Sequence, residues 1–395
     1  MTPLALPVAP VAPEIPRDGR LLFVDALRGL AMVVMIEVHV VNALMQPGYR
    51  QAPWFGLLNF INGLVAPSFL FIAGFAFLLA SQRNLAALRS CRGPFWATLG
   101  RIGWVWMLGY LLHIPFFSFN DWRRLATPEQ WLQFFSVDVL QCIACGLLII
   151  LCARLLIRDD RVFLALIGLL GGLATMLAPW LYQLAAAQTA QSLPLFLAPY
   201  LLPIGSTLFP LPPWFGFMAA GVLAGWWFLR AQEQGRVHRW MGKTAMIGGL
   251  LVAVCLPLLF YLKDSLGVIV DERPQPLFFA ARLGCVLLLL ALCGLICRSR
   301  KNLPSWLHAP SQESLMVYCI HLQVLYRPIW EGKSLAMWVG QRCSLVAALL
   351  CAGALIALML PLAGGWRVFK QRYQQANQGL LAAALVGGTL VFLAG

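Results

Sequence analysis

The sequence predicts an all-α protein, a polytopic membrane helix bundle of about 10–11 transmembrane helices. Of its 395 residues, 61% are hydrophobic and 11% are charged, whereas a soluble domain has about 45–50% apolar and about 25% charged residues. The mean hydropathy is +0.78. Apolar runs of about 20 residues recur from Leu21 to the C-terminus, and each is long enough to cross about 30 Å of hydrocarbon.

Eleven apolar segments are candidate spans, of which the ninth is short and contains His321 and the eleventh has only about fifteen residues. They cover residues 22–44, 57–80, 96–117, 133–153, 162–182, 212–229, 244–262, 277–297, 313–330, 343–364 and 380–394. We expect a flexible cytoplasmic tail over residues 1–20, a transmembrane core over 21–364, and a basic loop with a terminal helix over 365–395.

The basic residues predict the orientation of the spans. With the N-terminus inside, the inner connections hold more than twice as many Lys and Arg residues as the outer ones, which is the bias of cytoplasmic loops. We therefore expect a cytoplasmic N-terminus and a bacterial inner membrane. Because the net charge of +14 is spread over short loops, nucleic-acid binding is not expected. The cysteines lie mostly in apolar segments, and the pair Cys142 and Cys145, with its C-x-x-C spacing, has no second pair to complete a zinc site, so no metal is expected.

The first span carries polar residues along one helical face. Its members are separated by three or four residues: Asp25, Arg28, Met32, Met35, His39 and Asn42. At 1.5 Å per residue, His39 lies about 21 Å beyond Asp25, so this seam joins the two sides of the bilayer. Glu37 points away from the seam and is either a structural partner in the bundle or a second catalytic carboxylate.

Several other polar residues are expected at the depth of His39, on the outer side. They are His113, Asp138, Gln141, Asn59, Asn62 and Arg282. A histidine beside a carboxylate has the parts of a general base. We take His39, Asp138 and His113 as catalytic candidates, and Asn42, Asn59, Gln141 and Arg282 as substrate-binding candidates. The alternative is an interhelical hydrogen-bond network, which contributes about 0.6 kcal/mol per contact.

Three arginines, Arg28, Arg101 and Arg282, fall inside predicted spans. Each costs roughly 2.5–3.5 kcal/mol at the bilayer centre, so such groups usually face a protein interior or a wet cavity. They are therefore site candidates, unless the side chains reach the interface from a helix end.

Five sequence blocks resemble the bacterial relatives of heparan-α-glucosaminide N-acetyltransferase, a family of transmembrane acyltransferases. The first is Asp25-Ala-Leu-Arg28-Gly29-Leu-Ala followed by Met35 and His39. The others are APSFLFIAG at 66–74, DVLQ at 138–141, PPWFGFM at 212–218 with Gly221 and Gly225, and SLMVYCIH at 314–321. They occur in the family's order over roughly residues 20–330.

This resemblance implies acyl transfer, usually of an acetyl group, from cytoplasmic acetyl-CoA to a hydroxyl or amine on the outer side. The acceptor would be a sugar, a glycan or a lipid-linked molecule. His39 would be the histidine general base, with Asp25 and Arg28 at the mouth of the donor tunnel. The family's lumenal active histidine is absent here, where the chain reads Gln51-Ala52-Pro53-Trp54, so we expect direct attack by the acceptor.

Two further residues are candidates for binding the acyl-CoA. Arg101, beside the basic inner connection that holds Arg83, Arg89 and Arg92, is suited to phosphates. His321 lies about 10 Å from the inner side when it is counted from Ser314, so it is expected to line the pantetheine path. Because His39 lies deeper, no contact between these two histidines is expected.

Two other classes of function stay open. A transporter or flippase also needs a continuous polar seam, and helices broken at midplane favour it, although the two halves of the chain show no internal repeat. A non-catalytic membrane partner needs neither His39 nor Arg28. Membrane lipids are expected partners, and the sequence leaves homo-oligomerisation open.

Overall fold

The chain forms a bundle of α-helices. This computed structural model describes residues 21–116, 118–186, 193–266, 274–328, 332–373, 383 and 386–394. Its helices are α1 Leu22–Leu44, α2 Pro53–Asn62, α3 Val65–Arg83, α4 Leu85–Arg89, α5 Gly93–Leu112, α6 Phe119–Leu125, α7 Pro128–Phe135, α8 Val139–Leu156, α9 Asp160–Ala186, α10 Ala198–Leu201, α11 Leu211–Glu233, α12 Val237–Leu266, α13 Pro276–Cys297, α14 Ser305–Gln312, α15 Ser314–Tyr326, α16 Leu335–Val339 and α17 Leu345–Arg372. Within these ranges no β-strand forms, which confirms the all-α class.

Two predicted regions include residues outside the described ranges. The N-terminal tail, residues 1–20, lies outside the described residues, and so does part of the eleventh span over 380–394. The predicted end of the core at residue 364 falls within α17, which continues to Arg372.

Among the described residues, six helical segments are long and apolar enough to cross a membrane. They are Pro53–Arg83, Val139–Leu156, Asp160–Ala186, Val237–Leu262, Pro276–Cys297 and Leu345–Arg372. Helices α1, α5 and α11 have 23, 20 and 23 residues, so each is about 30 Å long or more at 1.5 Å per residue. The prediction of an integral membrane helix bundle is confirmed.

The second predicted span is divided into two helices, and the ninth follows a separate short helix that was not predicted. The second becomes α2 and α3, which are separated at Gly63 and Leu64. A Cβ at Gly63 would collide with the Arg282 guanidinium, so only glycine allows this approach. The ninth span begins inside the bundle with α15, because α14 precedes it and the two helices meet at Glu313. Lys370 pairs with the Glu313 carboxylate at 2.6 Å.

Helix α1 lies at the centre of the bundle, where it contacts α3, α13, α14, α15 and α17. Beside it, α11 packs tightly on α3: a Cβ at Gly74 would collide with the Met218 carbonyl, and a Cβ at Gly221 with the Phe71 carbonyl. Small residues permit such close helix crossings in membrane bundles. The polar seam of α1 is therefore enclosed by protein over most of its length.

Candidate active site

The N-terminal end of the α1 seam lines a cavity of about 230 Å³. Asp25 and Arg28 form its α1 wall, Arg83 lies on the α3 wall, and Gln312 of α14 completes it. Arg28 Nη1 lies 3.6 Å from Asp25 Oδ1, one helical turn away. Since Asp25 is buried, this ion pair holds a carboxylate and a guanidinium at the cavity wall.

A second cavity, of about 600 Å³, lies on the other side of α3. Arg101 of α5 is one of its lining residues, together with Ser81 and Asn84. Ala76 and Ala80 line both cavities, so the two spaces adjoin where α3 carries only small side chains. Each of the two cavities is therefore lined by at least one guanidinium group.

Further along α1, His39 meets His321 of α15, and their ring centroids are 5.2 Å apart. The expectation that these histidines do not touch is wrong. That expectation measured the depth of His321 from Ser314, as if Ser314 lay at the membrane surface. Instead, α14 precedes α15 and already packs against α1 inside the bundle. A Cβ at Gly29 would collide with the Leu307 carbonyl, so α15 starts well inside the bundle.

Met32 and Met35 occupy the seam between the arginine cavity and His39, and both are buried. Methionine side chains are unbranched and adapt their shape easily. A ligand that extended from the arginine cavity to His39 would therefore have to displace these two flexible apolar side chains.

Asp138 stands at the start of α8 and is held from two directions. Its Oδ1 accepts a 2.7 Å hydrogen bond from the Val139 N–H, and its Oδ2 accepts one of 2.8 Å from the Tyr318 hydroxyl. The carboxylate interacts electrostatically with His39 and with His113. This arrangement places one fixed negative charge between two imidazoles from different helices.

Gln141 completes the N-terminal cap of α8. Its Oε1 accepts a hydrogen bond from the Asp138 N–H at 3.2 Å. The Gln141 side chain fits against α5 because residue 109 is glycine: a Cβ there would lie 2.6 Å from the Gln141 Cδ. Its Nε2 is buried and has no hydrogen-bond partner among the described residues. The amide is thus a structural cap that retains one donor beside the site.

His113 follows the end of α5 and contacts the backbone of Ser136, just before Asp138. The connection that precedes α11 folds back against the same helix. There the Tyr200 hydroxyl accepts from Trp106 Nε1 at 2.7 Å and lies 2.9 Å from the Tyr110 hydroxyl. Aromatic and hydroxyl side chains therefore border the site on the side of His113.

The candidates Glu37 and Arg282 do not lie beside the two histidines. Glu37 lies two residues before His39, which turns it about 200° around α1, and its Oε1 accepts from Asn62 Nδ2 at 3.5 Å. The Arg282 guanidinium packs at Gly63 and over the Phe278 ring, 4.1 Å from its centroid. These groups form a second polar cluster on the opposite face of α1.

Asn59 and Asn42 are both exposed. The Asn59 carbonyl lies beside Gly63 in the second polar cluster. The Asn42 carbonyl accepts from Arg50 Nη2 at 3.0 Å and from Gln341 Nε2 at 3.4 Å. Their exposure places both residues at the edge of the bundle.

Tyr318 and Tyr326 are site residues that sequence reasoning missed. Tyr318 binds Asp138, and the Tyr326 ring centroid lies 6.2 Å from that of His39. Tyr318 lies within the SLMVYCIH block at 314–321. The resemblance of this block to the family was the sequence feature that could have identified Tyr318 as a site residue. Its partner is 180 positions away in the chain, and spacing along one helix cannot show such a pair.

The fold and the site together define a polytopic membrane protein with a polar interior, lined by arginines at one end and by histidines with a carboxylate at the other. Residues 20–265 match the family described as heparan-alpha-glucosaminide N-acetyltransferase, catalytic. Because the match covers more than half of the chain, the protein belongs to this family, and the resemblance is confirmed. The chain is thus a membrane acyltransferase. Among curated proteins, none matches it.

Proposed function

We propose that the protein moves an acetyl group from cytoplasmic acetyl-CoA to a hydroxyl or amine of an extracytoplasmic sugar, glycan or lipid-linked acceptor. The observation that carries this proposal is the polar face of α1, which has a cavity with Asp25 and Arg28 at one end and the contact of His39 with His321 at the other. The proposal places the N-terminus in the cytoplasm of a bacterial cell and the protein in its inner membrane.

The two adjoining cavities suit the charged part of the donor. Coenzyme A carries several phosphates, and Arg28, Arg83 and Arg101 line these spaces. Guanidinium groups bind phosphate through paired hydrogen bonds. In the proposed arrangement the phosphates lie beside these arginines, and the thioester extends along α1 past Met32 and Met35.

At the other end of the path, His39 is the proposed general base. It removes a proton from the acceptor hydroxyl or amine while that atom attacks the thioester carbonyl. Asp138, fixed by Val139 and Tyr318, stabilises the positive imidazole that results. The new bond joins the acceptor atom to the acetyl carbon, and the carbon–sulfur bond breaks, with its electron pair leaving on sulfur.

The acceptor is proposed to approach on the side of His113, where Tyr110 and Tyr200 supply hydroxyl groups. Gln141 Nε2 is a donor available at this position. The second polar cluster, with Arg282 and Asn59, is proposed as a more distant part of the acceptor site, and Asn42 as a contact at its edge.

A direct test uses the purified protein in detergent with labelled acetyl-CoA and methyl α-glucosaminide as the probe acceptor. We expect labelled acetylated product from the unaltered protein. We expect His39→Ala to lose turnover while its size-exclusion profile and melting temperature stay close to the wild-type values. Normal turnover in the His39→Ala protein would reject His39 as the base.

A transporter or flippase is the second candidate, because helices are broken at Gly63, within the second predicted span, and at Glu313, between α14 and α15. Broken helices often form substrate sites in transporters. Flux of labelled methyl α-glucosaminide into proteoliposomes without any CoA ester would favour this candidate. Product formation that requires acetyl-CoA, without such flux, would favour the acyltransferase.

A further inference from the structure

His321 is a buried histidine whose protonated nitrogen can be assigned. Its Nδ1 lies 2.7 Å from the Val317 carbonyl oxygen. Because a carbonyl only accepts hydrogen bonds, Nδ1 must carry the hydrogen. In the neutral ring Nε2 then holds the lone pair. Helix α15 thus fixes the tautomer that leaves Nε2 able to accept a proton.

This Nε2 atom is buried and has no hydrogen-bond partner among the described residues. The residue as a whole has an exposed fraction of 0%. An unsatisfied buried acceptor destabilises the folded protein, so a structural histidine would be expected to pair both nitrogens. The nearest identified imidazole is that of His39, at a centroid separation of 5.2 Å.

The proposed acyl transfer takes one proton from the acceptor and gives one to the sulfur of coenzyme A. The acceptor loses its proton when it attacks, and the sulfur gains one when it leaves. His39 serves the first event. Because the sulfur leaves the same carbonyl carbon that the acceptor attacks, an imidazole beside His39 is placed to carry the proton on to it.

We propose that His321 is a catalytic residue that relays the acceptor's proton from His39 to the departing sulfur. This inference rests on the proposed function. The proton moves from the acceptor to His39, then to His321 Nε2, and finally to the thiolate of coenzyme A. The acceptor–carbon bond forms, the carbon–sulfur bond breaks, and no oxidant or reductant is needed. His321 thus acts in the reaction rather than only lining the pantetheine path.

The charges around the pair are consistent with this role. Asp138 interacts electrostatically with His39, and Tyr318, the hydrogen-bond donor of Asp138, has its ring centroid 5.8 Å from that of His321. The carboxylate thus favours a positive charge on His39, from which the proton can pass to His321. Two neighbouring imidazolium ions would repel each other, so the pair carries one extra proton at a time.

The test compares His321→Asn with the wild-type protein, using acetyl-CoA and methyl α-glucosaminide. Asparagine can still donate to the Val317 carbonyl but cannot accept and pass on a proton. We expect kcat to fall about 100-fold or more, the scale of general acid–base catalysis, with the KM for acetyl-CoA within about twofold. The matched control is His238→Asn, which changes an exposed histidine of α12 and should leave both constants unchanged.

A raised KM with an unchanged kcat would overturn the relay and return His321 to a donor-binding role. Unchanged constants would overturn it as well. If the wild-type protein forms no product from these substrates, the proposed function itself fails, and the relay fails with it. If the wild-type protein is active and His321→Asn retains its kcat, only the relay is rejected.

A second measurement needs no active variant. The chain has five histidines, so ¹⁵N-histidine labelling of the protein in nanodiscs gives a spectrum simple enough to assign. At neutral pH we expect His321 to show a protonated Nδ1 and an unprotonated Nε2. A protonated Nε2 in the resting protein would contradict the proposal, even if His321→Asn failed to fold.

Discussion

The Tyr318 hydroxyl donates a 2.8 Å hydrogen bond to Asp138 Oδ2 and so connects α15 to the first turn of α8. This bond joins two blocks of sequence that are far apart in the chain. It also fixes the carboxylate beside His39 and His113. The arrangement of the histidine site therefore depends on the packing of α15 against α8.

Replacing Tyr318 with phenylalanine tests this connection. Because Tyr318 is buried and its partner is a charged group, we expect the melting temperature in detergent to fall, by the equivalent of about 1.5–3 kcal/mol. We also expect kcat to fall about tenfold as Asp138 becomes less ordered. Tyr326→Phe is the matched control, since its longer 3.3 Å bond to the His39 carbonyl should contribute less. Equal effects of both changes would contradict the assignment.

The negative charge of Asp138 can be separated from its capping role by Asp138→Asn. Asparagine caps helices about as well as aspartate but cannot replace both accepting oxygens, so the melting temperature should fall by no more than in Tyr318→Phe. Without the negative charge beside the two imidazoles, kcat should fall by roughly 10- to 100-fold. Steady-state kinetics and thermal unfolding check this expectation. Asp121→Asn, at the start of α6, is the control and should leave kcat unchanged.

Arg101 tests the placement of the coenzyme A phosphates. Losing one charge-assisted hydrogen bond of about 1.5 kcal/mol should raise the KM for acetyl-CoA about tenfold in Arg101→Gln, with kcat nearly unchanged. The control is Arg230→Gln, because Arg230 is exposed at the end of α11 and pairs with Glu233 at 3.1 Å. If both variants raise KM alike, a general effect of basic loops explains the result better than a phosphate site.

The close crossing of α3 and α11 predicts a severe effect of Gly74→Ala. The added methyl group would collide with the backbone carbonyl of Met218, which cannot rotate away as a side chain could. We expect a loss of about 1–3 kcal/mol, seen as a lower melting temperature or a smaller folded yield. Gly172→Ala is the matched control, because nothing lies within 4 Å of the position that its Cβ would take.

Much of the fold follows from local sequence. Apolar length predicts the membrane helices, and proline in the first turn marks the starts of α2, α5, α7 and α13. The seam residues Asp25, Arg28 and His39 follow from helical spacing alone. The break at Gly63 was not predicted, because the sequence stays apolar across it. Helix α14 was not predicted either, because SWLHAPSQ at 305–312 is too short and polar to be a span.

The sequence by itself determined the membrane-embedded helical class, the family, and the face of α1 that carries His39. Those properties depend on hydropathy and on a periodicity within single helices. Only the tertiary structure decided that His39 meets His321, that Tyr318 holds Asp138, and that Asn62 meets Glu37 on the opposite face of α1. These contacts depend on the depth at which each helix begins and on which faces pack together, and distant segments of the chain set both.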